Sequence, residues 1–282
     1  MGIGLKSNKV AFLTTIFPIS KTYLFDFFNS IQKQTCKNFD VIVINDSYEG
    51  FDKIEQAFTD LNIIELNYSG TPAKNREYGI NYVIYSGYDI LIFGDCDDYF
   101  SENRVEESID LLGVSDIVIN DLSLFYEAGM LEQNYLSNRL ANKEQIGSKF
   151  IEDKNVFGFT NTAVNVNSIK NVIFDSSLIA VDWFFYATLL NQGLKAVFTN
   201  GCISYYRQHE CSLVGLGRLT ISSLDIGIAV KMNHYKNIES LNYLYDEMYQ
   251  LSKMDSNSVY LKLMEYPINH PLWWEEIQGI KS

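Results

Sequence analysis

Three aspartates occupy four consecutive positions in Gly94-Asp95-Cys96-Asp97-Asp98, directly after the apolar run Ile90-Leu91-Ile92-Phe93. Carboxylates packed this closely repel one another unless a cation or a proton sits among them. In an extended segment, residues two apart point the same way, so Asp95 and Asp97 can face one ligand; hard oxygen donors of this kind suit Mg2+ or Mn2+. The end of a buried strand is also where open α/β sheets place their ligands. The same residues read as a polar turn whose aspartates cap a helix starting near Ser101-Glu102-Asn103. A lone Asp-x-Asp does not choose between these readings.

The elements that must position this turn follow from hydrophobic period. Val10-Ala11-Phe12-Leu13, Val41-Ile42-Val43-Ile44, Ile63-Ile64-Glu65-Leu66 and Ile90-Leu91-Ile92-Phe93 are short apolar or β-branched runs, the pattern of strands buried on both faces. Between them, Tyr23, Leu24, Phe27, Phe28 and Ile31 recur at helical spacing, and Asn75 to Tyr85 reads as a second helix. Strands alternating with helices imply a Rossmann-like, mostly parallel α/β sheet flanked by helices. Asp116-Ile117-Val118-Ile119 predicts a further strand, and residues 123–160 read as a loop-rich insertion with a helix or two. Trp183, Phe184, Ala187 and Leu190 share a helical face, Gly193 stands at the place of a C-terminal cap, and Lys195 to Thr199 resumes a strand. From Leu219 onward the pattern changes. Leu241, Leu244, Met248 and Leu251 step by three and four, so residues 219–282 are expected as a C-terminal helical extension to a domain spanning 1–218.

The chain has 282 residues, and 22 Lys and Arg against 35 Asp and Glu leave a formal charge of −13. That balance argues against a nucleic-acid partner, which needs many cation–phosphate contacts, and implies that an anionic ligand brings its own cation. No apolar run approaches the roughly 20 residues of a membrane helix, and Met1 to Lys9 lacks the apolar core of a secretory signal. The four cysteines form no C-x-x-C pair and read as free thiols. A cytoplasmic location is therefore expected, including the inner face of a membrane.

Four patches, in order along the chain, resemble the family-2-type glycosyltransferases with the GT-A nucleotide-sugar-binding fold. Ser30 to Ser47 is similar to that family's opening helix ending in Gln-Thr, its strand, and an acidic-polar turn at Asn45-Asp46. Asn67, Gly70 and Ala73-Lys74-Asn75 followed by Gly79 resemble the segment leading to its Asp-x-Asp-Asp, here Asp95 to Asp98. Tyr206-Arg207-Gln208-His209, with Ser212 and Gly215, resembles a late motif that often ends the catalytic domain. The resemblance covers residues 9–215. The family often has an acidic pair at Asn45-Asp46, Arg at Lys74, and Glu-Asp where this chain reads Val181-Asp182.

The resemblance implies an inverting transfer of a sugar from a nucleoside diphosphate to a hydroxyl, with a divalent ion, Mn2+ or Mg2+, neutralising the leaving diphosphate. Asp97 is then the first candidate metal ligand, with Asp95 on the ribose or the metal's water shell and His209 as an imidazole ligand to the same ion. Thr14, Thr15 and Phe17 are expected to cover the nucleoside and Asp46 to accept from a pyrimidine imide, which favours a UDP-sugar. Lys74 approaches the diphosphate as a point charge. Asp182, flanked by Val181 and Trp183, fits the base that takes the acceptor's proton, and equally a first-turn acid favoured by the helix dipole. Asp98, Asn161 and Trp183 are the candidates for the sugar or acceptor side. The acceptor implied is a glycan or lipid-linked hydroxyl in surface polysaccharide or glycoconjugate synthesis.

Other classes fit less well. A haloacid-dehalogenase-type phosphatase carries its Asp-x-Asp after the first strand, and a dinucleotide oxidoreductase needs a G-x-G-x-x-G that no early strand here precedes. A degenerate nucleotide-sugar-binding module that assembles partners is the non-enzymatic alternative. Pro271-Leu272-Trp273-Trp274 with Glu275-Glu276 is expected first to pack back onto the catalytic domain, with a homodimer contact through the C-terminal helices or a peripheral membrane interface as the alternatives.

Overall fold

The computed structural model describes residues 8–126, 129–208, 219–265 and 273–279. They form two compact units. The first is built from residues up to 146, 159–174 and 194–208; the second from 147–158, 175–193 and those described after 208. This division differs from the expected split at 218, because two internal stretches join the C-terminal residues.

In the first unit the chain runs β1 (Val10–Ile16), α1 (Lys21–Gln32), β2 (Asp40–Asn45), α2 (Asp52–Ala57), β3 (Asn62–Asn67), α3 (Pro72–Tyr85) and β4 (Ile90–Phe93). It continues with β5 (Tyr99–Phe100), α4 (Arg104–Leu112), β6 (Ile117–Tyr126), β7 (Gly129–Glu132), β8 (Gln145–Ile146) and β9 (Thr162–Asn165). After α5 (Val181–Asn191), which belongs to the second unit, β10 (Ala196–Arg207) returns to the sheet. The strand order is β3-β2-β1-β4-β9-β6-β10-β5, with β7 on β6 and β8 on β10. Along that path β3, β2, β1, β4, β6 and β10 point one way; β9 and β5 oppose them. The expectation of a mostly parallel sheet is met.

The runs read as buried strands are buried because both sheet faces are covered. Every residue of β1 and β4 is inaccessible. On one face Leu24, Phe27, Phe28 and Ile31 of α1 pack with Phe12, Val41 and Val43, joined by Val105 of α4; Phe12 and Phe27 meet edge to face at 5.9 Å. Burying each such side chain contributes about 1.5–3 kcal/mol. On the other face α3 crosses the sheet at Gly79, where a Cβ would stand 2.9 Å from Leu13 Cδ1 and 3.0 Å from Ile44 Cγ1. Only glycine allows α3 that close.

One cation is part of this core. Arg104, fully buried, donates through Nη2 to the carbonyl of Phe93 (2.6 Å) and through Nε to Asn120 Oδ1 (3.0 Å), and its guanidinium lies 4.2 Å over the Phe100 ring. It thereby ties the end of β4 to β6.

Residues 123–160 are less helical than expected. β6 runs on to Tyr126 and pairs with β7, and the remaining regular backbone consists of β8 and short single turns at Ser148–Ile151 and Phe159–Asn161. Polar residues on β6, such as Asn120, Asp121 and Ser123, mask the strand pattern, although all are buried and satisfied by neighbours.

The second unit contains α5, α6 (Ile221–Lys236), α7 (Asn242–Leu251) and α8 (Ser256–Met264). Trp183 of α5 is its centre. It is fully buried, stacks on His234 of α6 with ring centroids 3.8 Å apart, and donates from Nε1 to the Ile151 carbonyl at 2.6 Å. Trp274 stacks near it at 6.0 Å and is itself buried, as is Ile277. Of the tryptophan pair, Trp274 packs inside its own unit; Pro271 and Leu272 lie outside the described residues. No described helix is long and apolar enough to cross a membrane.

Lys231 is buried in this unit with its ammonium on the Ile277 carbonyl at 2.5 Å, and burial pulls its pKa down to about 8. Below that pH both native and unfolded chains hold the proton, and the full cost of the buried charge is present. As pH rises from about 8 toward 10.5 the unfolded chain holds more protons, so stability rises. Urea unfolding of this chain is expected to show that gain, and the variant K231M to lose it while the rest of the pH profile is kept.

Candidate active site

The site is assembled where β1, β2 and β4 end. After β4, Gly94 donates its N–H to the Leu13 carbonyl of β1 (3.1 Å), and a turn closes through Asp98 N to the Asp95 carbonyl (3.1 Å). The aspartates therefore sit in a tight turn, not an extended strand. Asp95 and Asp97 nevertheless share the half-exposed side, because Cys96 and Asp98 between and after them point into the core. Nor do these aspartates cap a helix. Asn103 precedes α4, and the carboxylate of Asp98 is used elsewhere.

Asp98 is 1% exposed and ties its turn to the short turn before β9 and to the end of β10. It accepts from Thr160 Oγ1 (2.5 Å) and from the backbone N–H of Arg207 (2.7 Å). Burial pushes its carboxyl well above the usual carboxylate range, with Asp97 and Asp95 adding to the rise and the two hydrogen bonds opposing it. Arg207, at the end of β10, then donates from Nε to the Asp97 carbonyl (2.7 Å) and from Nη2 to Asp26 of α1 (2.6 Å). Its guanidinium lies over the rings of Tyr23 and Phe125 at 4.2 and 4.6 Å. The turn is clamped from behind.

In front, α3 supplies the partners. Pro72 and the N-cap Thr71 start the helix, the Thr71 hydroxyl accepting from Lys74 N at 3.4 Å. This brings Asn75 and Arg76 to the strand ends. Asn75 Nδ2 donates to Asp46 (2.7 Å), whose other oxygen accepts from Ser69 (2.6 Å), while Arg76 Nη2 is ion-paired with Asp95. Burial raises the carboxyl of Asp95, and Arg76 pulls it back part of the way. One continuous polar chain thus joins Asp46 after β2 to Asp95 after β4. Around it, Thr14 Oγ1, Thr15 Oγ1, Asn75 Oδ1 and Arg76 Nη1 are buried without a hydrogen-bond partner. Native proteins pair more than nine-tenths of such groups, so four at one sheet edge mark a place shaped for a polar ligand.

Of the nucleotide candidates, Asp46, Lys74 and Asp95 converge on the first turn of α3, and Thr14 and Thr15 end β1 between β2 and β4. Phe17 follows them and is 44% exposed. Lys74 is engaged by Glu77 at 2.8 Å. The sugar-side candidates lie in three separate settings. Asp98 is occupied as described, Asn161 is fully buried with Nδ2 on the Asn120 carbonyl (3.3 Å), and Trp183 is the core of the second unit. The polar string Asn161-Thr162 to Asn165 belongs to β9, a central strand, and the turn before it; Asn161 and Thr162 are buried and Asn165 is partly exposed. Asp182 sits in the first turn of α5, where Oδ1 accepts from Asn155 Nδ2 (3.0 Å) and Trp183 N (2.8 Å). His209, Ser212 and Gly215 lie outside the described residues.

Arg76, Thr160 and Asp26 had no place in the sequence reading. Arg76 carried a signal, a cation one turn into a helix that starts with Thr-Pro after a strand. Thr160 and Asp26 carried none, since 62 and 181 residues separate them from their partners.

The model of glycosyl transferase family 2 matches residues 20–175. The chain belongs to this family and is a glycosyltransferase of GT-A fold. A search of curated proteins finds no match. Among solved structures, S. aureus TarS 1-349 in complex with UDP-GlcNAc is similar with a TM-score of 0.62 and 15% identity, over 91% of this chain and 77% of that one. The mannosyltransferase PcManGT from Pyrobaculum calidifontis, in complex with GDP-Man and Mn2+, gives 0.60 and 10%, over 83% and 64%. GalNAc-T7 with UDP, GalNAc and Mn2+ gives 0.58 and 11%, over 89% and 53%.

Because Asp98 alone serves two buried donors, D98A is expected to cost about 3 kcal/mol of unfolding free energy, and T160V, which removes one of the two bonds, about 1–2 kcal/mol. Chemical denaturation of both variants beside the parent reads this difference; equal small losses would show that the clamp does not hold the turn.

Proposed function

We propose that this chain transfers a sugar, with inversion and with a divalent ion, from a UDP-sugar to a hydroxyl of a glycan or lipid-linked acceptor in the synthesis of a surface polysaccharide or glycoconjugate. The observation that carries this reading is the polar chain from Asp46 to Asp95 with its four unpartnered buried atoms, at the strand ends where parallel sheets bind nucleotides. The nucleotides in the TarS, PcManGT and GalNAc-T7 structures, and the Mn2+ in the last two, support it.

Each residue has a task that its own surroundings suit. Asp46, oriented by Ser69 and Asn75, accepts from the imide of a uracil, and the hydroxyls of Thr14 and Thr15 border the nucleoside. Among the described residues no three His, Cys, Asp or Glu side chains gather to hold an ion. The donor set still fits Mn2+ or Mg2+, since such ions are commonly held by one or two carboxylates, here Asp97 and Asp95, with phosphate and water oxygens completing the shell. A bound ion supplies charge neutralisation for the departing diphosphate. His209 is assigned as a further ligand from the resemblance. Asp182 is assigned as the base: Asn155 and the Trp183 N–H fix its carboxylate, which takes the acceptor hydroxyl's proton as that oxygen attacks the anomeric carbon opposite the leaving group.

Two measurements test this. Chelation of divalent ions is expected to abolish transfer or donor hydrolysis across a panel of nucleotide sugars, and added Mn2+ to restore it; turnover unaffected by chelator would remove the metal. D182N is expected to lower kcat by about 10²–10⁴ while UDP affinity stays within about twofold. A binding module has no turnover to lose.

A further inference from the structure

Arg76 is the cation at this site whose donors are not all used. Nη2 is committed to Asp95, the guanidinium lies 5.0 Å over the Phe159 ring, and Nη1 is buried without a partner. Lys74, two residues away, is engaged by Glu77. Arg76 is the fifth residue of the 14-residue α3, near the helix N-terminus, where the helix dipole favours anions. A guanidinium presents a planar fork that matches phosphate oxygens in a bidentate manner.

The ion pair has a second consequence. Asp95 is one of the two carboxylates suited to a divalent ion, and it is already neutralised by Arg76. Two cations compete for one carboxylate. A diphosphate offers Arg76 a doubly charged alternative partner, and Arg76 leaving Asp95 frees that carboxylate for the ion.

We infer that Arg76 is a diphosphate-binding residue that doubles as the resident counter-cation of Asp95, so that donor binding releases Asp95 and couples the metal and the nucleotide positively. This rests on the donor-site reading above. The coupling is reciprocal, as thermodynamic linkage requires: Mn2+ tightens UDP as much as UDP tightens Mn2+. The part of it owed to Arg76 is separable from direct contact between ion and phosphate, because only that part vanishes when the guanidinium is removed.

The test uses the full chain, with free Mn2+ followed by electron paramagnetic resonance and metal-free UDP and GDP binding by calorimetry. R76Q is expected to bind Mn2+ alone roughly tenfold more tightly than the parent and metal-free UDP roughly tenfold more weakly, with a smaller UDP-induced gain in Mn2+ affinity. A purely structural role would weaken both ligands together. Parallel weakening, or unchanged Mn2+ affinity in R76Q, overturns the inference while leaving the donor site intact. If the parent chain binds neither UDP nor GDP even with Mn2+, the donor-site reading itself falls. R76K carries the test should a melting scan show R76Q unfolded: keeping the charge but not the fork, it is expected to leave Mn2+ affinity within about twofold and weaken UDP about fivefold, and a loss of Mn2+ affinity there overturns the proposal as well.

Discussion

Three carboxylates within four residues, at the end of a strand buried on both faces, impose a repulsion that the fold must offset within a few ångström. Each carboxylate is treated differently. Asp98 is withdrawn into the core and given two donors, Asp95 is given a guanidinium, and Asp97 keeps its half-exposed place between them. Much of the topology serves that arrangement. β10 is 12 residues long and changes register between Thr199 and Ile203, then pairs Ser204 and Tyr205 with Phe100 and Tyr99 directly beyond the turn. Two residues later Arg207 arrives behind Asp98 and reaches Asp26 on α1. The strand that closes the sheet also closes the acidic turn.

The same economy of charge appears in the core. The Phe93 carbonyl, the side-chain oxygen of Asn120 and the face of Phe100 solvate Arg104. Placing a cation just beneath the acidic turn lowers the local negative potential without offering a competing ion pair at its surface, and the rise in the Asp95 carboxyl is reduced by Arg104 as well as by Arg76. A protein of net charge −13 needs such internal cations wherever it gathers acids.

What could be read from the residues follows from how local the cause is. β1, β2 and β4 were legible because both faces are covered and each holds a run of four apolar residues, and α1 because Leu24, Phe27, Phe28 and Ile31 mark a single stripe. β9 was not legible. Thr162-Ala163-Val164-Asn165 is a central strand with polar ends, and its polarity suggested an exposed lining when in fact Arg104 and Asn120 are buried against it. For the site, Asp95 was found through its place after a buried strand, and Asp46 and Lys74 through the family resemblance. Thr160, Asp26 and Arg207's backbone contact were beyond reach because each acts across 60 residues or more, where only the completed sheet brings partners together.

The second unit is assembled from stretches far apart along the sequence. Residues 147–158 and 175–193 flank β9 and precede β10, yet their apolar groups are completed by the C-terminal helices: Trp183 stacks on His234, its indole N–H reaches Ile151, and Trp274 lies against it. His234 itself is buried without a partner for either ring nitrogen, and burial lowers its pKa to about 3, so it serves that core as a neutral aromatic plate. The described residues after 218 thus share a core with these two internal stretches. The other side of that core is α5, the helix that carries Asp182 in its first turn.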